Sequence, residues 1–184
     1  MSLIVKGGSP FIPAPEGVHN AVCVDVVDMG VISEGKYGPK HKCRLVWELE
    51  AKMESGKPFL QSKIYNLTLG ERSYLHKDLK SWRGKPFTAE ELEGFDIEKV
   101  LGVSCQLHIL HNEEDGIIYA NVMAVKRPVK ILKPTGEYIR YKDRPENQIA
   151  SNRQMMDSSG FQEDVKQLNN PEYGEVEQED DVPF

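Results

Sequence analysis

From His41 to Ala51 the side chains alternate in character without a break. His41, Cys43, Leu45, Trp47, Leu49 and Ala51 fall on one face, and Lys42, Arg44, Val46, Glu48 and Glu50 on the other. A period of two defines a half-buried β-strand, which needs hydrogen-bonded neighbours. Both flanking segments can supply them. Val18 to Ile32 is rich in β-branched residues but interrupted by Asp25, Asp28 and Gly30, a pattern that predicts a long strand with a bulge or bend. Ser33 to Lys40 reads as a loop and Glu54 to Lys57 as a turn. Pro58 to Leu69 then reads as a third strand, with Leu60 and Ile64 on one face and Phe59, Gln61, Lys63 and Tyr65 on the other. Three strands joined by loops make an antiparallel meander.

The period then changes. Leu75, Leu79 and Trp82 recur at helical spacing, so Glu71 to Trp82 is expected to be a helix that ends at Gly84 and Pro86. Thr88 and Glu91 have capping-box spacing for a second short helix, and Phe95 to Leu101 fits a further turn. Val103, Cys105, Leu107 and Ile109 alternate as a fourth strand, Asn112 to Gly116 is expected to turn, and Ile117 to Val125 returns as a fifth. The order is βββ-α-ββ. It predicts an all-β domain with a helical insertion, a five-stranded oligonucleotide/oligosaccharide-binding (OB) barrel with its helix between strands three and four.

Charge is divided unevenly along the 184 residues. Residues 145–184 hold ten acids against Arg153 and Lys166, a charge of −8, whereas residues 1–144 hold 21 basic and 19 acidic residues, +2. Only 11 of those last 40 residues are hydrophobic, too few to offset the entropy of ordering them. The expected organisation is an extended Gly- and Pro-rich arm (1–17), the OB domain (18–132), a basic aromatic hinge (133–144) and a disordered acidic tail (145–184). The hinge closes a stretch, 126–144, with seven basic residues interleaved with Tyr138 and Tyr141.

Several chemistries find no support. No segment approaches the ~20 apolar residues of a membrane span, and Met1 to Pro15 lacks the regions of a signal peptide, so a cytoplasmic protein is expected. Cys23, Cys43 and Cys105 lie far apart and read as reduced thiols. Cys105, His108 and His111 cannot converge on a metal from one strand, because positions 105 and 108 point to opposite faces. Asp25, Asp28, Glu48 and Glu50 read as solvent-facing charges rather than a two-metal nuclease site. With neither a nucleophile elbow nor a phosphate loop in the sequence, no catalytic residue, metal or cofactor is expected.

A sequence-tolerant single-strand groove needs cations for phosphates and aromatic faces for bases. Lys36, Tyr37 and Lys40 in the first loop, Lys42 and Arg44 on strand two, and Phe59, Lys63 and Tyr65 on strand three are the expected nucleic-acid contacts. They are expected to share a face or an adjoining loop, on the strand-two and strand-three surface that OB folds use. Asp180-Asp181-Val182-Pro183-Phe184 is a second candidate. Pro183 and Phe184 suit an apolar pocket, a terminal carboxylate suits an Arg or a backbone nest, and the acids attract a basic rim.

This tip resembles the Asp-rich Ile/Val-Pro-Phe ending of bacterial single-stranded DNA-binding proteins. The domain resembles a family of phage and prophage single-stranded DNA-binding proteins over about residues 13–125. The resemblance is carried by Pro13-Ala-Pro-Glu-Gly17, Trp47-Glu48-Leu49, Asp78-Leu-Lys-Ser-Trp-Arg-Gly-Lys-Pro-Phe87, Gly94-Phe-Asp-Ile97 and Leu101-Gly102. It implies an OB fold that coats single-stranded DNA in the host cytoplasm during replication, recombination or repair, with the tip recruiting partner proteins. Barrel edge strands leave pairing between copies open. A protein-interaction adaptor without nucleic-acid binding and a metal-dependent nuclease are the alternatives from other classes.

Overall fold

In the computed structural model, residues 12–33 and 38–147 are described. Most of the N-terminal arm, the candidates Lys36 and Tyr37, and the tip Asp180–Phe184 lie outside them. The chain divides into two units, Met1–Arg144 and Pro145–Phe184. All five strands belong to the first.

The alternating segments form β1 (Gly17–Ile32), β2 (Lys40–Lys52), β3 (Pro58–Asn66), β4 (Ser104–Glu114) and β5 (Ile117–Lys126). They make one antiparallel sheet in the order β3-β2-β1-β4-β5. The irregular composition of β1 has the expected effect: its register on β2 shifts between Cys23 and Asp25, and again between Asp28 and Gly30. β4 runs to Glu114, five residues past its last alternating position. Asp115 (φ 52°) and Gly116 (φ 76°) alone make the hairpin turn, the two-residue type that needs positive φ at both positions.

Helix α1 (Tyr74–Arg83) begins three residues after the expected start at Glu71, because the Ser73 hydroxyl caps it by accepting the His76 N–H. Gly84 ends it in the left-handed conformation, φ 68°, and a Cβ there would run into the Arg127 side chain. Thr88 and Glu91 form the expected capping box of α2 (Ala89–Glu93). The Arg83 guanidinium holds the Glu91 carboxylate with both terminal nitrogens, at 3.1 and 2.7 Å. A single 3-10 turn, Ile97–Val100, leads into β4.

The core lies on the α1 side of the sheet. Trp47 and Trp82, both expected to pack inside, meet with ring centroids 6.2 Å apart, and the Trp82 indole donates to the Ser104 carbonyl at 2.7 Å. α1 also meets β3, where the Asp78 carboxylate accepts from Lys63 Nζ (2.7 Å) and from the Tyr65 hydroxyl (2.8 Å). Lys63 Nζ reaches the Met123 carbonyl of β5 at 3.5 Å. The two edge strands of the sheet thus come together beside one helix.

Among the described residues no helix is long and apolar enough to cross a membrane. Cys23, Cys43 and Cys105 are free and buried. Burial pushes the Cys23 thiol up to about 12 and the Cys43 thiol to about 11, from an ordinary value of 9.0. Because the folded values are raised, their contribution to stability is complete below pH 9 and is lost as pH rises through 11 and 12. At pH 8 an aromatic disulfide reagent is therefore expected to label all three thiols in urea and none in the native protein, and the urea midpoint should fall between pH 9 and 11. Rapid labelling of the native protein contradicts this packing.

Candidate nucleic-acid interface

The expected contact residues do not share a face. The register of β3 on β2 sets Lys63 opposite Leu45 and Tyr65 opposite Cys43, so Phe59, Lys63 and Tyr65 follow the core side of the sheet. Lys42 and Arg44 follow the other side, where Arg44 lies opposite Ile64 and Lys42 opposite Asn66. Tyr65 is 2% exposed, with its hydroxyl given to Asp78. Burial, with the Asp78 charge, pushes its phenol far above the usual range. Its ring is unavailable to a base, and Phe59 is half-buried against the core cluster. Lys63 is engaged with Asp78. Lys40 opens β2 at an exposed position.

The outer face is not bare. The bulge between Cys23 and Asp25 places Asp25 opposite Val46 on that side, where Val22, Val27 and Val46 are buried as well. What covers them is the chain after β5. The Ser104 hydroxyl accepts the Leu132 N–H (2.8 Å) and donates to the Leu132 carbonyl (3.1 Å). Thr135 gives both its N–H (2.9 Å) and its hydroxyl (3.0 Å) to the Glu48 carboxylate. Asp25 collects three donors: the Tyr138 hydroxyl at 3.0 Å, Arg140 Nε at 3.1 Å and the Tyr141 N–H at 2.7 Å. Residues 132–141, most of them expected to be hinge, are thus bonded along the outer sheet.

Two charge assignments are corrected by this cover. Asp25 is 1% exposed and Glu48 2%, where solvent-facing carboxylates were expected. A carboxylate is stable out of water only when its lone pairs meet donors, and the segment supplies them. Burial and the Asp25 charge in turn raise the Tyr138 phenol. Asp28, at the exposed end of β1, bonds His41 and the Gly30 N–H. Glu50 bonds Lys130 and Asn20.

The segment brings its own cations and rings to β2. Arg144 Cζ lies 5.6 Å from the Tyr138 ring centroid and 5.8 Å from that of Tyr141, and Arg44 Cζ lies 5.9 Å from Tyr141. Tyr141 is exposed between two guanidiniums, an amphipathic platform with positive charge around it. Arg140 is neutralised by Asp25 and Glu98, whereas Lys42, Arg44 and Arg144 have no carboxylate in ion-pair reach among the described residues. Arg44 Nε is buried without a hydrogen-bond partner. Tyr138, Tyr141 and Arg144 were visible in sequence as a basic aromatic stretch, but nothing local placed them beside strand two.

Among the described residues no group of three or more His, Cys, Asp or Glu side chains is arranged to hold a metal. Cys105 is in the core, and His111 Nε2 lies 2.8 Å from the Ala14 carbonyl. No protein-family model matches the chain, and no curated protein matches it.

Replacing Asp25 with Ala strands the donors of residues 138–141. Asp25→Ala is expected to lower unfolding free energy by about 2–3 kcal/mol and to speed exchange of the Tyr141 amide. Glu50→Ala, which removes exposed contacts, should cost no more than about 1 kcal/mol. Equal effects of the two in urea titrations would show that Asp25 does not hold the segment.

Proposed function

We propose that this chain binds single-stranded DNA with little sequence preference, along the outer face of β2 and residues 138–144, and that it is not an enzyme. One observation carries the reading: Arg44, Tyr141, Arg144 and Tyr138 form a contiguous basic aromatic cluster beside Lys42, while the buried Asp25 carboxylate beneath it is taken up by internal bonds. Phosphates released from their counterions suit guanidiniums that meet no carboxylate, and bases of any identity can stack on an exposed tyrosine.

The strand order supports an OB barrel as the setting. β1 lies between β2 and β4, and the edges β3 and β5 approach each other through Lys63 and Met123 beside α1. A barrel of this type closes through those two edges. The resemblance of residues 13–125 to phage and prophage single-stranded DNA-binding proteins supports the same reading. On it, the protein coats exposed strands in the bacterial cytoplasm, and Asp180, Asp181, Val182, Pro183 and Phe184 recruit replication or recombination proteins.

The test is a titration of fluorescent oligo-dT with the full chain at two salt concentrations, with matched duplex as competitor. Log affinity is expected to fall with log salt at a slope of about −2 to −3, for three or four phosphates neutralised at about 0.7 each. Tyr141→Ala should lose about 1–3 kcal/mol of binding. A flat salt response, or equal competition by duplex, would overturn the reading.

A further inference from the structure

A second basic aromatic position lies at the start of α1. Tyr74 opens α1 with 69% of its surface exposed. Lys63 Nζ is 5.9 Å from its ring centroid and Lys77 Nζ 5.6 Å. The two lysines differ in kind. Lys63 is fixed where α1, β3 and β5 meet, tied to Asp78 at 2.7 Å and to the Met123 carbonyl at 3.5 Å. Lys77 is exposed, with no carboxylate in ion-pair reach among the described residues. It is the cation that remains available to a ligand.

The surface between the two positions is suited to an extended strand. Ile64 follows Lys63 in β3 and faces the opposite side of the sheet, 50% exposed, directly opposite Arg44 in register. Arg44 in turn lies beside Tyr141. Reading outward from β2, the outer face presents Tyr141, Arg44 and Ile64, and the α1 side of β3 carries Lys63 beside Tyr74 and Lys77. Exposed rings separated by cations and an apolar step, with the local carboxylate Asp78 already neutralised, fit a flexible polyanion carrying flat apolar bases.

We propose that Tyr74 is a second base-stacking position for the same single strand, with Lys77 meeting a phosphate next to it. The proposal rests on the reading of the Arg44–Tyr141 cluster as the primary contact. The strand runs from the outer face of β2 past Ile64 to the start of α1. Binding then depends on length: a short oligonucleotide occupies the first position only, and a longer one reaches both.

Oligo-dT of graded length, titrated against the full chain, tests this. The wild-type protein, Tyr74→Leu, Tyr74→Phe, Lys77→Ala and Tyr141→Ala are compared, with thermal unfolding as a check on folding. Wild-type affinity is expected to rise in a step once the strand spans both positions. Tyr74→Leu should bind short strands as wild type does and lose about 5- to 150-fold on long ones, with Tyr74→Phe retaining the step. Lys77→Ala should make the salt slope on long strands about 0.7 shallower. If Tyr141→Ala weakens binding while Tyr74→Leu matches wild type at every length, the second position is overturned and the first stands. If the wild-type protein binds no oligo-dT, both fall.

Discussion

Asp25 accepts hydrogen bonds from Tyr138, Arg140 and the Tyr141 amide while almost wholly removed from water. A buried carboxylate with fewer partners would cost several kcal/mol, so the bulge in β1 that turns Asp25 outward is tolerable only because residues 138–141 answer it. The reverse dependence is equally strict. Without Asp25, residues 138–141 lose the sheet carboxylate that holds Tyr138, Arg140 and the Tyr141 amide above Val22, Val27 and Val46. Glu48 repeats the arrangement at Thr135, and Ser104 repeats it without charge at Leu132. Polar groups of the sheet therefore fix the outer layer above Val22, Val27 and Val46.

That construction determines the electrostatics of the surface. Asp25, Glu48 and Asp78 are spent on internal donors, whereas Lys42, Arg44, Lys77 and Arg144 meet no carboxylate in ion-pair reach among the described residues. A domain whose formal charge is only +2 can thus present locally basic surface without a large excess of lysine and arginine. The two faces of the sheet also divide the work. The inner face carries the Trp47–Trp82 contact and α1, and the outer face carries the exposed tyrosine between guanidiniums.

Much of this was legible in the sequence because it is local. Period-two alternation and β-branched composition located the strands, and the Leu75, Leu79 and Trp82 stripe located the helix whose ends Ser73 and Gly84 fix. Assignments that depend on distant partners were not legible. Alternation grouped Phe59, Lys63 and Tyr65 on one face of β3, but which face they share with β2 depends on register, and the register joins them to Cys43 and Leu45. Tyr65 has the composition of a stacking residue, yet its hydroxyl belongs to Asp78 on α1. The burial of Asp25 and Glu48 depends on donors far along the chain. One signal did exist: β1 is apolar at Val22, Val24, Val26 and Val27, on both faces, which implies that both are covered.

A single strand lying on the outer face of β2 beside residues 138–144 places its bases next to Tyr138 and Tyr141. Photocrosslinking of an oligo-dT carrying 5-iododeoxyuridine to the full chain, with the attached peptides mapped by mass spectrometry, tests this placement most directly. Crosslinks are expected at Tyr138 or Tyr141. Crosslinks that map elsewhere and never to residues 138–144, or none with a bound strand, would contradict it.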